Sequence, residues 1–402
     1  MTPEIKQRIE QVRRGEVPER YVKTALGLAP ANWKRYTFGD IYTERKEPGD
    51  ENLPLLMVSI HSGVSDGEVD AAELPKQVKR IEDKSQYKKA VSGDLVFNMM
   101  RAWQGAIGAV RTTGMVSPAY IVAEPNGKAY PLFMDYYSRT PQMINQIDRQ
   151  SYGVTDFRKR LYWDSFAPIS CTLPPIEEQQ KIAAILTTQD RVIELKGKRL
   201  AEKQRQKKYL MQQLLTGKKR LPGFAFEVEK TNIKAISTYS VSTISQTMLE
   251  SYEGKQLYPV FNANSIAGHV DFYENECPYI SIIKDGAGIG RVRLCEAKSS
   301  TIGTMGCIHA RKGISIIFLY YLLEQVDFNK YSNGSTIPHL YYKDYSCEKV
   351  RIPDIKEQAA IAEVLSTADR EIELLQQDIE QEKQKKKALM QLLLTGIVRV
   401  KT

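Results

Sequence analysis

Apolar residues recur every seven positions in two stretches of the chain: Leu186, Ile193, Leu200 and Leu214 in one, and Leu365, Ile372, Ile379 and Leu393 in the other. A second row runs beside each, with Ile182 and Leu210 in the first and Ile361, Leu375 and Leu389 in the second. Two narrow rows at this spacing predict long helices that each bury one seam against a partner helix. Lys196, Lys203 and Lys207 interrupt the first seam, and Glu382 and Lys386 the second. Pairing two such helices lets the lysine stems lie along the seam with their charges in water. Asp354 followed by Glu357 resembles a capping box, and Gly217 and Gly396 stand where a helix commonly ends in a left-handed residue. Each helix is expected to run roughly 36 to 40 residues, about 55 to 60 Å.

The two stretches are copies. Laid over each other without a gap, residues 174–217 and 353–396 agree at 22 of 44 positions, and "LMQQLLTGKKR" from Leu210 returns as "LMQLLLTGIVR" from Leu389, 179 residues on. Identity of this kind means one structural unit used twice. Antiparallel packing of the copies is the economical arrangement, because each is preceded by a globular segment that must then lie at an opposite end. The repeat would act as a spacer.

Between the helices, short apolar runs alternate with Gly, Pro and Asn turns, the pattern of mixed α/β domains with many short strands. The boundaries expected are an N-terminal helical segment over 1–24, a first globular domain over 25–173, a spacer helix over 174–217, a second globular domain over 218–352 and a second spacer helix over 353–402. The N-terminal piece has Pro3 at a helix start, Ile5, Ile9 and Val12 on one face, and Gly15 as a stop; it is a docking element or a lid. The globular sequences resemble each other little, so one scaffold would present two different readers.

Chemistry gathers in their loops. The first domain holds "SGDLVFNMMRAWQGAIGAV", with Arg101, Trp103 and Gln104 crowded at a turn, and "RQSYGVTDFRKRL", with Tyr152, Arg158, Lys159 and Arg160. The second holds "IIKDGAGIGRVRL", with Lys284 and Arg291, and "NKYSNGSTIPHLYYKDY", with Lys330, Asn333, Ser335, Thr336, His339 and Tyr341. Basic, amide and aromatic side chains in glycine-bearing loops are the mixture that contacts phosphates and base edges. Taken singly, each charge is equally well explained as a solvated one, and each tyrosine as packing. "GAGIG" at 286–290 lacks the Gly-Lys-Ser/Thr ending of a phosphate loop and reads as a tight hairpin.

Charge supports a polyanionic partner: 57 Lys and Arg against 48 Asp and Glu give +9. Ten basic residues and one acidic residue lie between Lys196 and Arg220. Five cysteines, none spaced as Cys-x-x-Cys, and four scattered histidines argue against a disulfide framework or a metal site. No nucleophile-base pair, cofactor fingerprint or paired carboxylates stand out. The start, "MTPEIKQRIEQVRRG", has no apolar signal core, and the longest apolar run, near 314–323, is too short to span a bilayer. The expectation is a cytoplasmic, non-catalytic protein with no metal and no membrane contact.

Taken together, "GEVPERY", "GDLVFNMMRAWQGA", "GMVSPAYIV", "GSTIPHLYYKD" and the two "LMQxLLTG" helices resemble the specificity subunit of Type I restriction-modification systems over nearly the whole chain. The resemblance implies two target recognition domains, each reading one half of a bipartite double-stranded DNA target, separated by helices that form an antiparallel coiled coil with a pseudo-two-fold. It also implies that the helices set the distance between half-sites and bind two modification (methyltransferase) subunits, with restriction subunits joining indirectly. S-adenosylmethionine, ATP and Mg would then belong to partner subunits. By the same resemblance, the turn around Arg101, Trp103 and Gln104, the stretch 151–160 and the stretch 334–341 are recognition loops. A coiled-coil protein-protein scaffold with incidental basic charge is the competing reading.

Overall fold

In the computed structural model, all residues are described except 1–2, 25–26, 51, 61–62, 66–85, 156–157, 225–228, 287, 335–336 and 401–402. The two seams form single helices, Ile176–Leu214 of 39 residues and Ile355–Leu394 of 40. Each ends as expected at a left-handed glycine, Gly217 with φ +68° and Gly396 with φ +71°. The chain divides into two compact units, Met1–Leu195 with Ile379–Thr402, and Lys196–Asp378, so each unit owns one half of each long helix.

Within each unit the halves run antiparallel. In the first, Lys386 pairs with Asp190 at 2.5 Å and Gln189 donates to the Glu382 carboxylate at 2.6 Å. In the second, Lys196 pairs with Asp378 at 2.8 Å, Lys203 with Glu371 at 2.6 Å, and Lys207 with Asp369 at 2.7 Å and Glu324 at 3.0 Å. The lysine breaks in the seam are therefore cross-helix ion pairs rather than charges reaching into water, and Glu382 is held across the helices by its hydrogen bond from Gln189. Of the seam residues, Leu186, Leu214, Leu365, Ile379 and Leu393 are buried, while Ile193, Leu200, Leu210, Ile372 and Leu389 are half-buried, Leu210 and Leu389 among them packing against the lobe cores.

Each lobe is built on a four-stranded antiparallel sheet with the same order. In the first unit the strands lie as Tyr42–Arg45, Tyr120–Pro125, Leu95–Asn98, Ile107–Ala109; in the second as Ser237–Val241, Met305–Ala310, Tyr279–Ile283, Val292–Cys295. In chain order both read first, fourth, second, third. A helix follows the fourth strand in each, Pro131–Tyr137 and Ile316–Gln325, and sends a tyrosine to the long helix: Tyr136 donates to Asp190 at 2.6 Å, Tyr321 to Asp369 at 2.7 Å. Next come short helices at Trp163–Phe166 and Tyr342–Tyr345, then strands at Ser170–Leu173 and Lys349–Ile352, in the same 179-residue register as the long helices. The duplication thus extends into lobes whose sequences differ.

The lobes are fastened to the helices by their own cores. Ile182, Leu186, Leu393 and Leu394 join Phe38, Phe97, Phe133 and Phe166 in the first unit, and Leu214, Leu215, Ile361 and Leu365 join Ile280, Phe318 and Leu322 in the second. Two buried carboxylates complete the attachment. Arg399, past the end of the second helix, grips Glu178 in the first turn of the first helix with bonds of 2.6 and 2.7 Å. Arg220, past the end of the first helix, grips Glu357 in the same way, one bond at 2.8 Å. Asp354 caps the second helix through the amides of Lys356 and Glu357, so the expected capping box forms only by half: the Glu357 side chain is taken by Arg220. The N-terminal helix, Pro3–Arg13, is tied to the end of the second long helix: Arg8 donates to the Ile397 carbonyl at 3.0 Å and lies over the ring of Tyr21, whose hydroxyl donates to the Gly396 carbonyl.

Candidate nucleic-acid interface

In the first unit the turn after Leu95–Asn98 carries a 3₁₀ turn, Ala102–Gln104, closed by Gly105 at φ +102°. Arg101 and Gln104 are exposed there, and Trp103 is held half-buried with its indole N–H donating to the Met100 carbonyl at 3.0 Å. The 151–160 loop folds against this turn. Tyr152 and Arg160 exchange both backbone hydrogen bonds, at 2.9 and 2.8 Å, and the Leu161 amide donates to the Met99 carbonyl at 2.8 Å. Lys159 sits 4.9 Å from the Trp103 ring centroid and pairs with Asp148 at 2.8 Å, so its charge is partly committed within the lobe. Gly153 is required by packing: a Cβ there would come within 2.5 Å of the Arg158 backbone. Six of the expected residues, Arg101, Trp103, Gln104, Tyr152, Lys159 and Arg160, are thereby gathered on one loop pair, with exposed Arg158 in the same loop.

The second unit uses the same place on its sheet. The described residues 284–286 and 288–291 stand between Tyr279–Ile283 and Val292–Cys295, with Gly286, Gly288 and Gly290 at positive φ; a connection of eight residues is longer than the tight hairpin expected from "GAGIG". The segment Ser332–Asn333 pairs with His339–Leu340, and the Leu340 amide donates to the Lys284 carbonyl at 2.8 Å, the counterpart of the Leu161 bond. Asp285 joins the two loops, accepting from Lys284 at 2.7 Å and hydrogen-bonding the His339 ring at 2.8 Å. Arg291 is exposed and bonds Asn264, Asn333 bonds Asp344, and Tyr341 lies half-exposed against the His339 ring. Lys330 stands on the 3₁₀ turn Phe328–Tyr331, lining a groove with Leu322, Lys349 and Arg351. Ser335 and Thr336 lie outside the described residues.

Burial raises the Asp285 pKa, but the bonds from Lys284 and His339 outweigh it and hold the carboxyl below its ordinary 3.8. A depressed folded-state value stabilises above the unfolded pKa and is lost as pH falls through the folded one. Hydrogen-exchange protection of the Leu340 amide, corrected for intrinsic rate, should therefore fall below pH 3.8 and become insensitive to pH in Asp285→Asn. A wild-type protection that stays flat down to pH 2 would contradict the link.

Sequence reasoning missed Arg220, Arg399 and the exposed Tyr162, although all three fall in the 179-residue register, opposite Arg399, Arg220 and Tyr341. Among the described residues no helix is long and apolar enough to cross a membrane, and no group of three or more His, Cys, Asp or Glu could hold a metal ion.

Comparison with known proteins places this arrangement. The family described as Type I restriction modification DNA specificity domain matches residues 78–204 and 226–384. A Methanocaldococcus jannaschii chain, provisionally described as the type I restriction enzyme MjaX specificity subunit, is 23% identical, with 96% of this chain and 98% of that one covered. The crystal structure of the Type I restriction-modification system S subunit from M. genitalium superposes with a TM-score of 0.60 at 14% identity, covering 92% of this chain and 97% of that one. A chain solved in work on complex assembly and conformational transition of the type I restriction-modification system gives 0.55 at 17% identity, covering 92% and 99%.

Proposed function

We propose, from the premise that this chain belongs to the Type I restriction-modification DNA specificity family, that its two lobes read the two unlike halves of one asymmetric double-stranded DNA target. The observation that carries this reading is the shared framework with unlike faces. Both lobes present the turn after the second sheet strand together with the loop before a short helix, yet one offers Arg101, Trp103 and Gln104 and the other Lys284, Asp285 and His339. One scaffold with two different faces fits a ligand with two different parts.

The expected domain division follows the same logic, with 25–173 and 218–352 as target recognition domains and 174–217 and 353–402 as spacer helices. Phosphate contacts from exposed Arg101, Arg158 and Arg291 give salt-dependent, sequence-blind affinity, while good bidentate contacts to base edges discriminate by about 1 to 3 kcal/mol each. Two such readers on one spacer gain from linkage, because the second binds at high effective concentration. The helices also dock two modification subunits, which supply S-adenosylmethionine chemistry, with ATP and Mg belonging to the restriction subunits. The complex works in the cytoplasm.

Co-expression with a modification subunit, followed by sequencing of modified bases, should return one motif of two half-sites and a fixed gap. Arg101→Ala should then relax or abolish one half only, and Arg291→Ala the other. A continuous motif, or loss of both halves from either substitution, would rule the reading out.

A further inference from the structure

Among the described residues of these loops two tyrosines recur in the 179-residue register: exposed Tyr152 meets half-buried Tyr331, whose hydroxyl is taken by Glu348, and Tyr162 meets Tyr341, the pair in which both rings stand about half in water. Leu161-Tyr162 and Leu340-Tyr341 stand 179 residues apart, each immediately before its short helix. The leucines point inward and are buried, and their amides make the matched bonds to the carbonyls of Met99 and Lys284. The tyrosines point outward. Tyr162 is 54% exposed and Tyr341 50%, and both hold extended backbone, at φ −103° and −102°.

Packing gives no reason for the recurrence. The large residues that follow do the packing, with Phe166 and Tyr345 fully buried, whereas the outward ring of each tyrosine is about half in water. The flanking positions also diverge, Arg160 against His339 and Asp164 against Lys343, so no common ion pair holds the rings in place. Their attachment is shared: the Leu161 bond ties Tyr162 to the turn bearing Arg101, and the Leu340 bond ties Tyr341 to the turn bearing Lys284.

We infer that Tyr162 and Tyr341 are a matched pair of sequence-blind DNA contacts, one per lobe, each phenol O–H donating to a phosphate oxygen of its half-site. This rests on the reading that each lobe binds one half-site. If the lobes read different bases, the chemistry common to both ligands is the phosphodiester backbone, and a side chain kept identical between otherwise unlike faces belongs to it. Tyrosine is among the residues that bond phosphate, and such contacts fix register without carrying sequence information. The two tyrosines are therefore positioning residues that set the depth and orientation of each loop pair over the bases.

The test uses the full chain assembled with its modification subunits, a labelled duplex carrying the mapped target, and a scrambled duplex of equal length. Tyr162→Phe and Tyr341→Phe keep the ring and remove only the hydroxyl. Each should weaken binding roughly threefold to tenfold on both duplexes alike, the ordinary net worth of one hydrogen bond made in contact with solvent. The double variant should lose the product of the two factors, with the methylated motif unchanged. Unaltered binding, or a loss confined to the target duplex, would overturn the inference. A wild-type complex that fails to distinguish the two duplexes would instead overturn the underlying reading, and this inference with it.

Discussion

Arg399→Gln should destabilise the first unit by about 3 kcal/mol, because it strands a buried carboxylate. The Glu178 side chain is 1% exposed and takes two bonds from that guanidinium. Its place in the first turn of a long helix lets the helix dipole offset part of the loss, by about 0.3 to 1 kcal/mol, which puts the estimate at the low end of what breaking a buried pair costs. Glu178→Gln should cost less, since Arg399 is about one-third exposed and can turn to water. Replacing both with apolar residues of similar volume should recover most of the loss. Trp33, Trp103 and Trp163 all lie in the first unit, so tryptophan fluorescence during urea unfolding reports that unit selectively. Arg399→Gln should lower the fluorescence midpoint, while Arg220→Gln should leave it in place and move the far-ultraviolet dichroism transition. Equal fluorescence shifts from both variants would show that the two latches do not act on separate units.

These latches mark the limit of what could be read from the letters. The repeat is legible because the long helices bury a seam, and a seam restricts residue type at regular intervals: Leu186 and Leu365 have no exposure at all, where a polar side chain would be buried without a partner. A heptad scan, however, weighs only apolar positions. It registers Lys196, Lys203 and Lys207 as interruptions, although each faces a carboxylate on the other helix. Glu178 and Glu357 are matched positions of the repeat, and the sequence around Glu357 points to capping because that explanation is local; its partner, Arg220, is 137 residues away.

The common strand order of the lobes was hidden for a different reason. A short strand needs apolar side chains on its buried face and β-compatible residues elsewhere, so Leu95–Asn98 and Tyr279–Ile283 can take the same place in two sheets without sharing a residue pattern. Extending the 179-residue register backward from Pro174 would have exposed the relation, because Leu161-Tyr162 meets Leu340-Tyr341 within the same ungapped alignment. The candidate loops stand out by composition and by the resemblance to the family. That was enough to select Arg101, Trp103 and Gln104, and insufficient to foresee that Lys159 is already paired with Asp148.

Four residues inserted into both long helices, after Leu195 and after Asp378, should lengthen the gap between methylated half-sites by one or two base pairs and leave the half-sites unchanged. These points divide the two compact units, so the insertion leaves intact the ion pairs inside each. An insertion in one helix alone, for example beside Gln204, would instead pull Lys203 and Lys207 out of register with Glu371 and Asp369. On the proposal that the helix pair sets the spacing, four residues add about 6 Å and about 40° of turn. One base pair adds about 3.4 Å and about 35°. Rotation thus favours one extra base pair and length favours two. A seven-residue insertion separates these terms: about 10 Å matches three base pairs in length, but a heptad leaves the helix faces within about 20° while the DNA turns by about 100°. Methylation by the seven-residue variant should fall well below that of the four-residue variant at every gap length. A gap that stays the same in the four-residue variant would mean that the helices do not measure the target.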